Sequence, residues 1–256
     1  MDNKNLHKHT QDLADFYTAS AHKRHHTRRR DWPEFVHIAE YINSIESDHL
    51  TILEVGCGDG RLYGYLAEHC PSKTLRYTWV DVSQWLINLA TQQYDSATRI
   101  CDEMNSYLEL VPQQSCDVVI GIASIQHLPT RRDQSLFFHE GYRVLNYDGS
   151  LVMTNWSLSW WFIKRYWRPL MISVAKSIVT LWYADRRDVM VPFTDGDHTS
   201  HRFYHIFSKR RLTSLLRLAG FAIVKAAYSD SSWWLTYNWK ISRNHYHIAR
   251  KQVRLS

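Results

Sequence analysis

The stretch from Ile52 to Gly60 combines an apolar run, a carboxylate and three closely spaced glycines, in the order Ile-Leu-Glu-Val-Gly-Cys-Gly-Asp-Gly. Glycine lets the backbone take positive φ and lets a ligand approach the main chain closely. A helix-compatible segment begins at Arg61. A strand, such a turn and a helix start together form the nucleotide-binding corner of a doubly wound α/β fold. The pattern therefore predicts a cofactor site with Glu54 beside it.

The glycine spacing differs from the dinucleotide fingerprint Gly-x-Gly-x-x-Gly, because the third glycine comes one residue early. A carboxylate beside the glycines suits a cationic ligand, such as the amino group of a methionine-type moiety. The pattern resembles motif I of class I S-adenosylmethionine (SAM) methyltransferases. That resemblance implies SAM as the cofactor, and it places these loop residues in the cofactor site: Glu54, Gly56, Cys57, Gly58 and Gly60.

Further cofactor residues are predicted where later strands end. Asp81 ends an apolar run 21 residues after Gly60, the position at which an acid accepts hydrogen bonds from ribose hydroxyls. The alternative for Asp81 is a carboxylate at a helix N-terminus. The end of the third strand carries an acidic or polar residue near the adenine in this fold class, and residues 115–124 predict a fourth, buried strand. The predicted set at these ends is Asp81, Val82, Asp102, Glu103, Met104 and Ala123.

Strand and helix patterns alternate five times up to residue 156, which favours a parallel sheet. The predicted fold class is α/β: a Rossmann-like class I methyltransferase with a mostly parallel sheet, helices on both faces and an aromatic-rich insertion. We expect one domain over residues 1–256, a length that allows a large core. Its parts are a cofactor-binding core (34–155), an insertion or lid (156–200) and a basic C-terminal part that completes the sheet (201–256).

Cysteine usage and the N-terminus bear on location. The four cysteines form no Cys-x-x-Cys pair, so neither a zinc site nor a disulfide framework is indicated, and no metal is predicted. The N-terminus is polar, without the apolar region of a secretory signal. We expect a cytoplasmic protein.

Charge is distributed unevenly along the chain. Residues 34–155 hold 7 Lys/Arg and 16 Asp/Glu, whereas residues 201–256 hold 11 Lys/Arg and one acid. A basic segment interleaved with aromatics suits RNA, whose phosphates pair with cations and whose bases stack. The predicted RNA contacts include Lys209, Arg210 and Arg211. The alternative is a solvated basic face over aromatic strands.

Residues 156–183 form an unusual insertion. Its first part, residues 156–169, is rich in tryptophan and basic, and an apolar helix pattern interrupted by Lys176 follows. It is not the run of about 20 uncharged apolar residues that spans a membrane. Three roles remain open: a substrate lid, an interfacial helix that contacts a membrane surface, or a structural cap over the sheet.

Four blocks of the chain resemble the tRNA wobble-uridine methyltransferases that esterify 5-carboxymethyluridine, including the methyltransferase domain of AlkB-homologue proteins. Gln126 stands where that family has a histidine. The resemblance implies a tRNA substrate and a small zinc-binding activating partner. The blocks are residues 26–33 (HTRRRDWP), 54–60 (EVGCGDG), 119–128 (VIGIASIQHL), and 188–193 (DVMVPF) with 201–207 (HRFYHIF).

A carboxylate acceptor is ionised at neutral pH, so methylation of it needs alignment and a cationic clamp but no general base. The candidates for the clamp are Arg202, Tyr204, His205 and His127. His127 could instead pack structurally over its strand end, and Arg202 could contact a phosphate or form a surface salt bridge.

Two residues before the first strand are predicted to touch the cofactor. Arg28 and Trp32 could reach the methionine carboxylate and cover the cofactor, or Trp32 could simply begin the helix over residues 34–45. The competing function is a small-molecule or lipid-linked methyltransferase with the insertion as lid or membrane anchor. A catalytically silent subunit is disfavoured by the intact Glu54, glycines and Asp81.

Overall fold

The computed structural model describes residues 8–19, 31–180, 185–195, 198–230, 235–240 and 242–252. The helices are α1 (residues 8–19), α2 (Pro33–Asn43), α3 (Arg61–His69), α4 (Gln84–Gln93), α5 (Met104–Leu110), α6 (Arg131–Val144), α7 (Trp160–Val179) and α8 (Lys209–Leu218), with a 3-10 turn at Ile125–His127. The strands are β1 (His49–Val55), β2 (Thr74–Asp81), β3 (Ala97–Cys101), β4 (Cys116–Ile122), β5 (Leu145–Trp156), β6 (Asp188–Asp195), β7 (His198–His205), β8 (Phe221–Ser229), β9 (Leu235–Thr236) and β10 (Asn244–Lys251).

Eight strands form the central sheet in the order β3-β2-β1-β4-β5-β10-β8-β9. The first five strands of this order are parallel, β10 runs antiparallel to both of its neighbours, and β9 pairs antiparallel with β8. The reversal of strand order between β1 and β4 leaves a crevice at their carboxyl ends, which is where open α/β sheets bind ligands. The predicted fold class is confirmed.

Neighbouring residues of the central strands enter two different cores. Leu53 and Val119 pack with α5, α6 and α8, whereas Ile52 and Val118 pack with α2, α3 and α4. Successive side chains of a strand point to opposite faces, so a strand covered on both faces is apolar throughout. Burial of a residue such as Phe137 contributes about 1.5–3 kcal/mol.

Side-chain caps set the starts of two helices that follow strand ends of the sheet. The Glu103 carboxylate accepts hydrogen bonds from the main-chain N–H groups of Asn105 and Ser106, so α5 begins at Met104 and β3 ends at Cys101. Thr130 caps α6 by accepting from the N–H of Asp133. That helix therefore begins at Arg131.

The insertion consists of α7 and the β6–β7 hairpin. Tyr166 breaks the regular geometry of α7, and Pro169 follows within the helix. A third apolar cluster joins α7 to the hairpin and the following loop through Phe162, Tyr166, Val189, Val191, Tyr204 and Ile206. The expected boundary at residue 200 falls inside β7, and β8 and β10 are the strands that complete the sheet. Among the described residues, no helix has the length and apolarity needed to cross a membrane.

Candidate active site

A deep cavity opens at the carboxyl ends of the parallel strands. Glu54, Asp81, Ile122 and Trp156 reach it from the ends of β1, β2, β4 and β5. The space between its walls, including the solvent at its open mouth, is about 1220 Å³. The arrangement is the predicted cofactor crevice.

The glycine loop forms one wall of this cavity. Gly56, Gly58 and Gly60 have φ values of 75°, 59° and 74°, a region that side chains other than glycine rarely occupy. A Cβ on Gly56 would lie 2.4 Å from the Ser124 Cβ, so the β1 and β4 ends could not approach as they do. A Cβ on Gly58 would meet nothing within 4 Å and would take up open space beside the main chain. The loop therefore leaves room for a ligand against its backbone.

Asp81 holds this loop in place. One carboxylate oxygen accepts a hydrogen bond from the N–H of Gly58 at 2.9 Å, and the other accepts from the N–H of Ser83 at 2.9 Å. Burial raises the pKa of Asp81 to about 6, against the opposing effect of these hydrogen bonds. Asp81 lines the cavity while it joins the loop to the start of α4, so the two predicted roles are compatible.

Glu54 is buried below the loop and accepts a hydrogen bond from the Tyr77 hydroxyl at 2.9 Å. Burial raises the pKa of Glu54 to about 8; the Tyr77 hydrogen bond lowers it, and the Asp59 and Asp81 carboxylates raise it further. A cationic group near Glu54 would favour its ionised form. The acidic wall therefore suits a positively charged ligand.

Most of the remaining predicted cofactor residues also line the cavity: Trp32, Cys57, Val82, Asp102, Met104 and Ala123. Trp32 stacks on Phe35 with the Arg61 guanidinium 5.7 Å from its ring. Glu103 does not line the cavity, because its carboxylate caps α5. The structure thus places Glu103, predicted as a cofactor residue, at a helix cap outside the cavity wall, and Arg28 lies outside the described residues.

Arg202 reaches the cavity from β7 and is only 7% exposed. Its guanidinium carbon lies 4.6 Å from the ring centre of Phe16, 5.1 Å from that of Tyr204 and 5.6 Å from that of Phe193, with Tyr17 at 5.9 Å. Among the residues that the structure describes, no carboxylate pairs with it, and its Nε has no hydrogen-bond partner. Buried cations are ordinarily paired with an anion, so this is a place prepared for a negatively charged group.

His127 connects three elements at the mouth of β4. Its Nδ1 lies 3.0 Å from the Phe203 carbonyl oxygen, and its Nε2 lies 2.8 Å from the Tyr17 hydroxyl. A carbonyl only accepts, so Nδ1 carries a proton; in the neutral ring Nε2 then accepts from Tyr17. The predicted structural role of His127 is therefore favoured over a catalytic one.

The sequence profile of a family described as a methyltransferase domain matches residues 24–226. The chain belongs to this family and is a SAM-dependent methyltransferase. A methyltransferase from Methanosarcina mazei shares the fold with a TM-score of 0.64 and 19% identity, covering 84% of this chain and 98% of that one. The 1,6-didemethyltoxoflavin-N1-methyltransferase of Burkholderia thailandensis, solved with S-adenosylhomocysteine, has a TM-score of 0.62 and 15% identity, covering 96% and 90%.

Among curated proteins, the methyltransferase is similar to ALKBH8, a tRNA (carboxymethyluridine(34)-5-O)-methyltransferase. The Macaca fascicularis protein is 28% identical over 134 residues, which cover 52% of this chain and 18% of that protein. The Xenopus tropicalis protein is 22% identical over 271 aligned positions, covering 90% and 40%. The chain thus spans less than half the length of these relatives.

His205 does not belong to the cavity of the methyltransferase. Along β7, Arg202 and Tyr204 face the cofactor cavity, and His205 faces the other side because side chains alternate. Its Nδ1 lies 2.7 Å from an Asp188 carboxylate oxygen, and it borders a separate cavity that also contains Arg187 and Arg211. The structure thus places His205 outside the cavity in which it was predicted to orient the acceptor.

The basic residues predicted to contact RNA lie on α8, away from the cofactor cavity. The Lys209 ammonium lies 4.8 Å from the ring centre of Tyr228 and 5.4 Å from that of Tyr237. Arg210 is exposed, and Arg211 borders the separate cavity. They could contact a substrate only outside the cavity.

Sequence reasoning missed the contribution of α1. Leu13 and Tyr17 line the cavity, and Phe16 packs on Arg202. The spacing of Leu13, Phe16 and Tyr17 at i, i+3 and i+4 was a helical signal that could have revealed this face. Trp156 was also missed: its ring stacks on Tyr204 at 4.7 Å and forms part of the cavity wall.

Proposed function

We propose that this methyltransferase esterifies the carboxylate of a carboxymethyl-type wobble uridine in tRNA. The observation that carries the proposal is Arg202, a buried guanidinium without a carboxylate partner among the described residues, in the same cavity as the glycine loop. The similarity to ALKBH8 proteins, whose name specifies a carboxymethyluridine acceptor, supports it.

A guanidinium presents parallel N–H donors in a fork that matches the two oxygens of a carboxylate. The rings around Arg202 exclude water and hold the guanidinium in one orientation. Trp156 and Tyr204 give the same part of the cavity an aromatic wall, in which the two rings stack on each other at 4.7 Å. These residues would fix a carboxylate on a base rather than activate it.

Bound SAM supplies an activated methyl group on a sulfonium, so the protein must mainly hold and align the two partners. Glu54, the glycine loop and Asp81 would hold the cofactor, and Arg202 would fix the acceptor. An ionised carboxylate needs no proton removed. The absence of a required base is consistent with the contacts of His127, whose two ring nitrogens are both engaged in hydrogen bonds within the protein.

The test is methyl transfer from labelled SAM to matched tRNAs that carry either carboxymethyluridine or unmodified uridine at the wobble position. We expect label only on the carboxymethylated tRNA and its release by mild alkali, because the product is an ester. Nucleoside mass spectrometry should find the added methyl on that nucleoside. Equal labelling of both tRNAs, or alkali-stable label, would contradict the proposal.

An activating subunit belongs to the same proposal. A structural neighbour was solved in complex with the Haloferax volcanii Trm112 methyltransferase activator; it has a TM-score of 0.60 and 13% identity, covering 95% of this chain and 99% of that one. Assays of the chain alone should therefore be paired with assays in extract from its source cells. Activity only in the extract would point to such a subunit.

A second acceptor class, a lipid-linked carboxylate, is favoured by one observation: α7 carries an exposed apolar surface and packs against the cavity residue Trp156. Arg202 would fix such a carboxylate in the same way. Methyl transfer into an organic-extractable product, with no transfer to tRNA, would select this alternative.

A further inference from the structure

Helix α7 turns large apolar side chains towards solvent. Val179 is 82% exposed, Met171 and Ile178 are each 60% exposed, and Ile172 is 56% exposed. Trp160, Trp161 and Trp167 are also exposed. Isolated exposed apolar residues are common, but a continuous set on one helix marks an interaction surface.

The buried side of the same helix is polar in its second half. Ser173 is 5% exposed and Ser177 is 1% exposed, and within the described part of the chain the Ser177 hydroxyl has no hydrogen-bond partner. A water-facing surface helix buries its apolar stripe and exposes its polar residues. This half of α7 has the opposite arrangement, so its outer face suits an apolar medium better than water.

The charges of α7 are all positive. Lys164, Arg165, Arg168 and Lys176 are exposed, and the helix contains no Asp or Glu. The Lys164 ammonium lies 5.4 Å from the ring centre of Trp160, and the Arg168 guanidinium carbon lies 5.4 Å from that of Trp167. Exposed tryptophans beside cations are the composition of helices that lie at a membrane–water interface.

We propose that α7 binds in the plane of an anionic lipid surface, with its aliphatic face in the acyl boundary and its cations at the headgroups. Lipid is favoured over RNA because Met171, Ile172, Ile178 and Val179 have no ring on which a base could stack. It is favoured over a spanning segment because no described helix could cross a membrane.

Anchoring would place the acceptor end of the cavity close to the membrane. Trp156, in the cavity wall, lies 6.0 Å from the ring centre of Phe162 and 6.2 Å from that of Tyr166, both on the buried side of α7. The anchoring inference does not depend on the proposed acceptor, since it concerns binding alone.

The test is co-sedimentation of the whole chain with phosphatidylcholine vesicles, with and without phosphatidylglycerol. We expect binding to the anionic vesicles and weaker binding to the neutral ones. The double variant Ile172→Gln/Ile178→Gln should partition at least about tenfold more weakly, because two apolar side chains no longer enter the lipid. The matched control is Leu110→Gln/Leu218→Gln, which changes two comparably exposed leucines on α5 and α8 and should bind as the unmodified chain does.

Unchanged SAM affinity in both variants would show that they are folded. Failure of the unmodified chain to bind anionic vesicles would overturn the inference, as would an equal loss in the α7 and control variants. Sedimentation velocity without vesicles tests whether a second copy of the chain binds α7 instead of lipid. A dimer of the unmodified chain that becomes monomeric in the α7 variant would also overturn the lipid inference. Loss of tRNA binding in that variant, with vesicle binding intact, would do the same and assign the surface to RNA.

Discussion

At the scale of single residues, Arg202 has the most specific chemistry, because a cation is buried among aromatic rings rather than paired with an acid. Arg202→Lys keeps the positive charge but loses the fork that matches a carboxylate. We expect turnover to fall about tenfold or more, roughly 1.4 kcal/mol of transition-state stabilisation, with SAM affinity unchanged. Single-turnover methyl transfer and calorimetric SAM titration measure the two quantities.

The matched control is Arg132→Lys, the same exchange at an exposed arginine on α6 outside the cavity. It should leave turnover unchanged. Near-normal turnover in Arg202→Lys and also in Arg202→Ala would remove the carboxylate clamp from the mechanism.

Glu54 gives the ligand-free protein a predictable pH dependence. Its pKa is about 8 in the folded state, against an ordinary value of 4.5, so the folded state retains a proton that the unfolded chain has released. Stability from this group is therefore full at low pH and declines as pH rises towards 8. Asp81, with a pKa of about 6, contributes in the same direction at lower pH, so the window from pH 7 to 8 mainly reports Glu54.

We expect the free energy of unfolding to fall between pH 7 and 8, and Glu54→Gln to flatten this fall, because glutamine stays neutral and can still accept from Tyr77. Urea unfolding of both proteins at each pH measures it. Parallel curves for the two proteins would show that Glu54 is ionised in the folded state throughout this range.

At the scale of elements, α8 carries the basic surface that the RNA proposal needs. Lys209 already packs over Tyr228, whereas Arg210 is exposed and available to a phosphate. Arg210→Glu should weaken tRNA binding and reduce the slope of log affinity against log salt by about 1, because one phosphate contact and its counterion release are lost. Filter binding over a salt series measures this slope.

Arg132→Glu provides the comparison, since it reverses an equally exposed arginine on α6. Its slope should match that of the unmodified chain. The same shift in both variants would mean that the effect follows net charge and that α8 is not a specific phosphate contact.

In the β6–β7 hairpin, the two faces of β7 have different surroundings. Arg202 and Tyr204 on one face of β7 serve the cofactor cavity, while His205 on the other face pairs with Asp188. β7 thus contributes side chains both to the cofactor cavity and to a separate cavity that contains Arg187 and Arg211.

At the scale of the whole molecule, two buried histidines of β10 make stability sensitive to acid. Burial lowers the pKa of His245 to about 4 and that of His247 to about 3, from an ordinary value of 6.5. The unfolded chain takes up protons at these positions before the folded state does, so stability from these groups is lost as pH falls from 6.5. Each histidine contributes a slope of at most about 1.4 kcal/mol per pH unit.

His247→Gln should make unfolding less sensitive to acid between pH 6.5 and 4, because glutamine gains no charge there. The measurement is the urea midpoint of the variant and of the unmodified chain at each pH in this range. The difference between the two midpoints reports the effect of His247, because the carboxyl groups titrate in both proteins. A difference that stays constant with pH would indicate that His247 is protonated in the folded state.

The parallel sheet core and most of the residues that line the cavity at its carboxyl ends could be predicted from the amino-acid sequence. The strand patterns are local, and parallel strands separated by helices bring their carboxyl ends to one edge of a sheet. Glu54, Gly56, Gly58, Asp81 and Asp102 therefore line one cavity, whereas Gly60, in the same loop, does not line it. For these residues, the order of strands and helices along the chain is enough to place them at the carboxyl edge of the sheet.

The rest depended on contacts between residues far apart in the chain. Phe16 and Arg202 meet only because α1 docks against the hairpin. The side of β7 on which His205 lies depends on how the strand packs, since either side of a strand can face a cavity. The role of Glu103 depends on the start of α5, since an acid can cap a helix as readily as bind a ligand. For α7, the sequence showed tryptophans, cations and an apolar run; only tertiary packing decided that Ser173 and Ser177 turn inward while the aliphatic side chains face out.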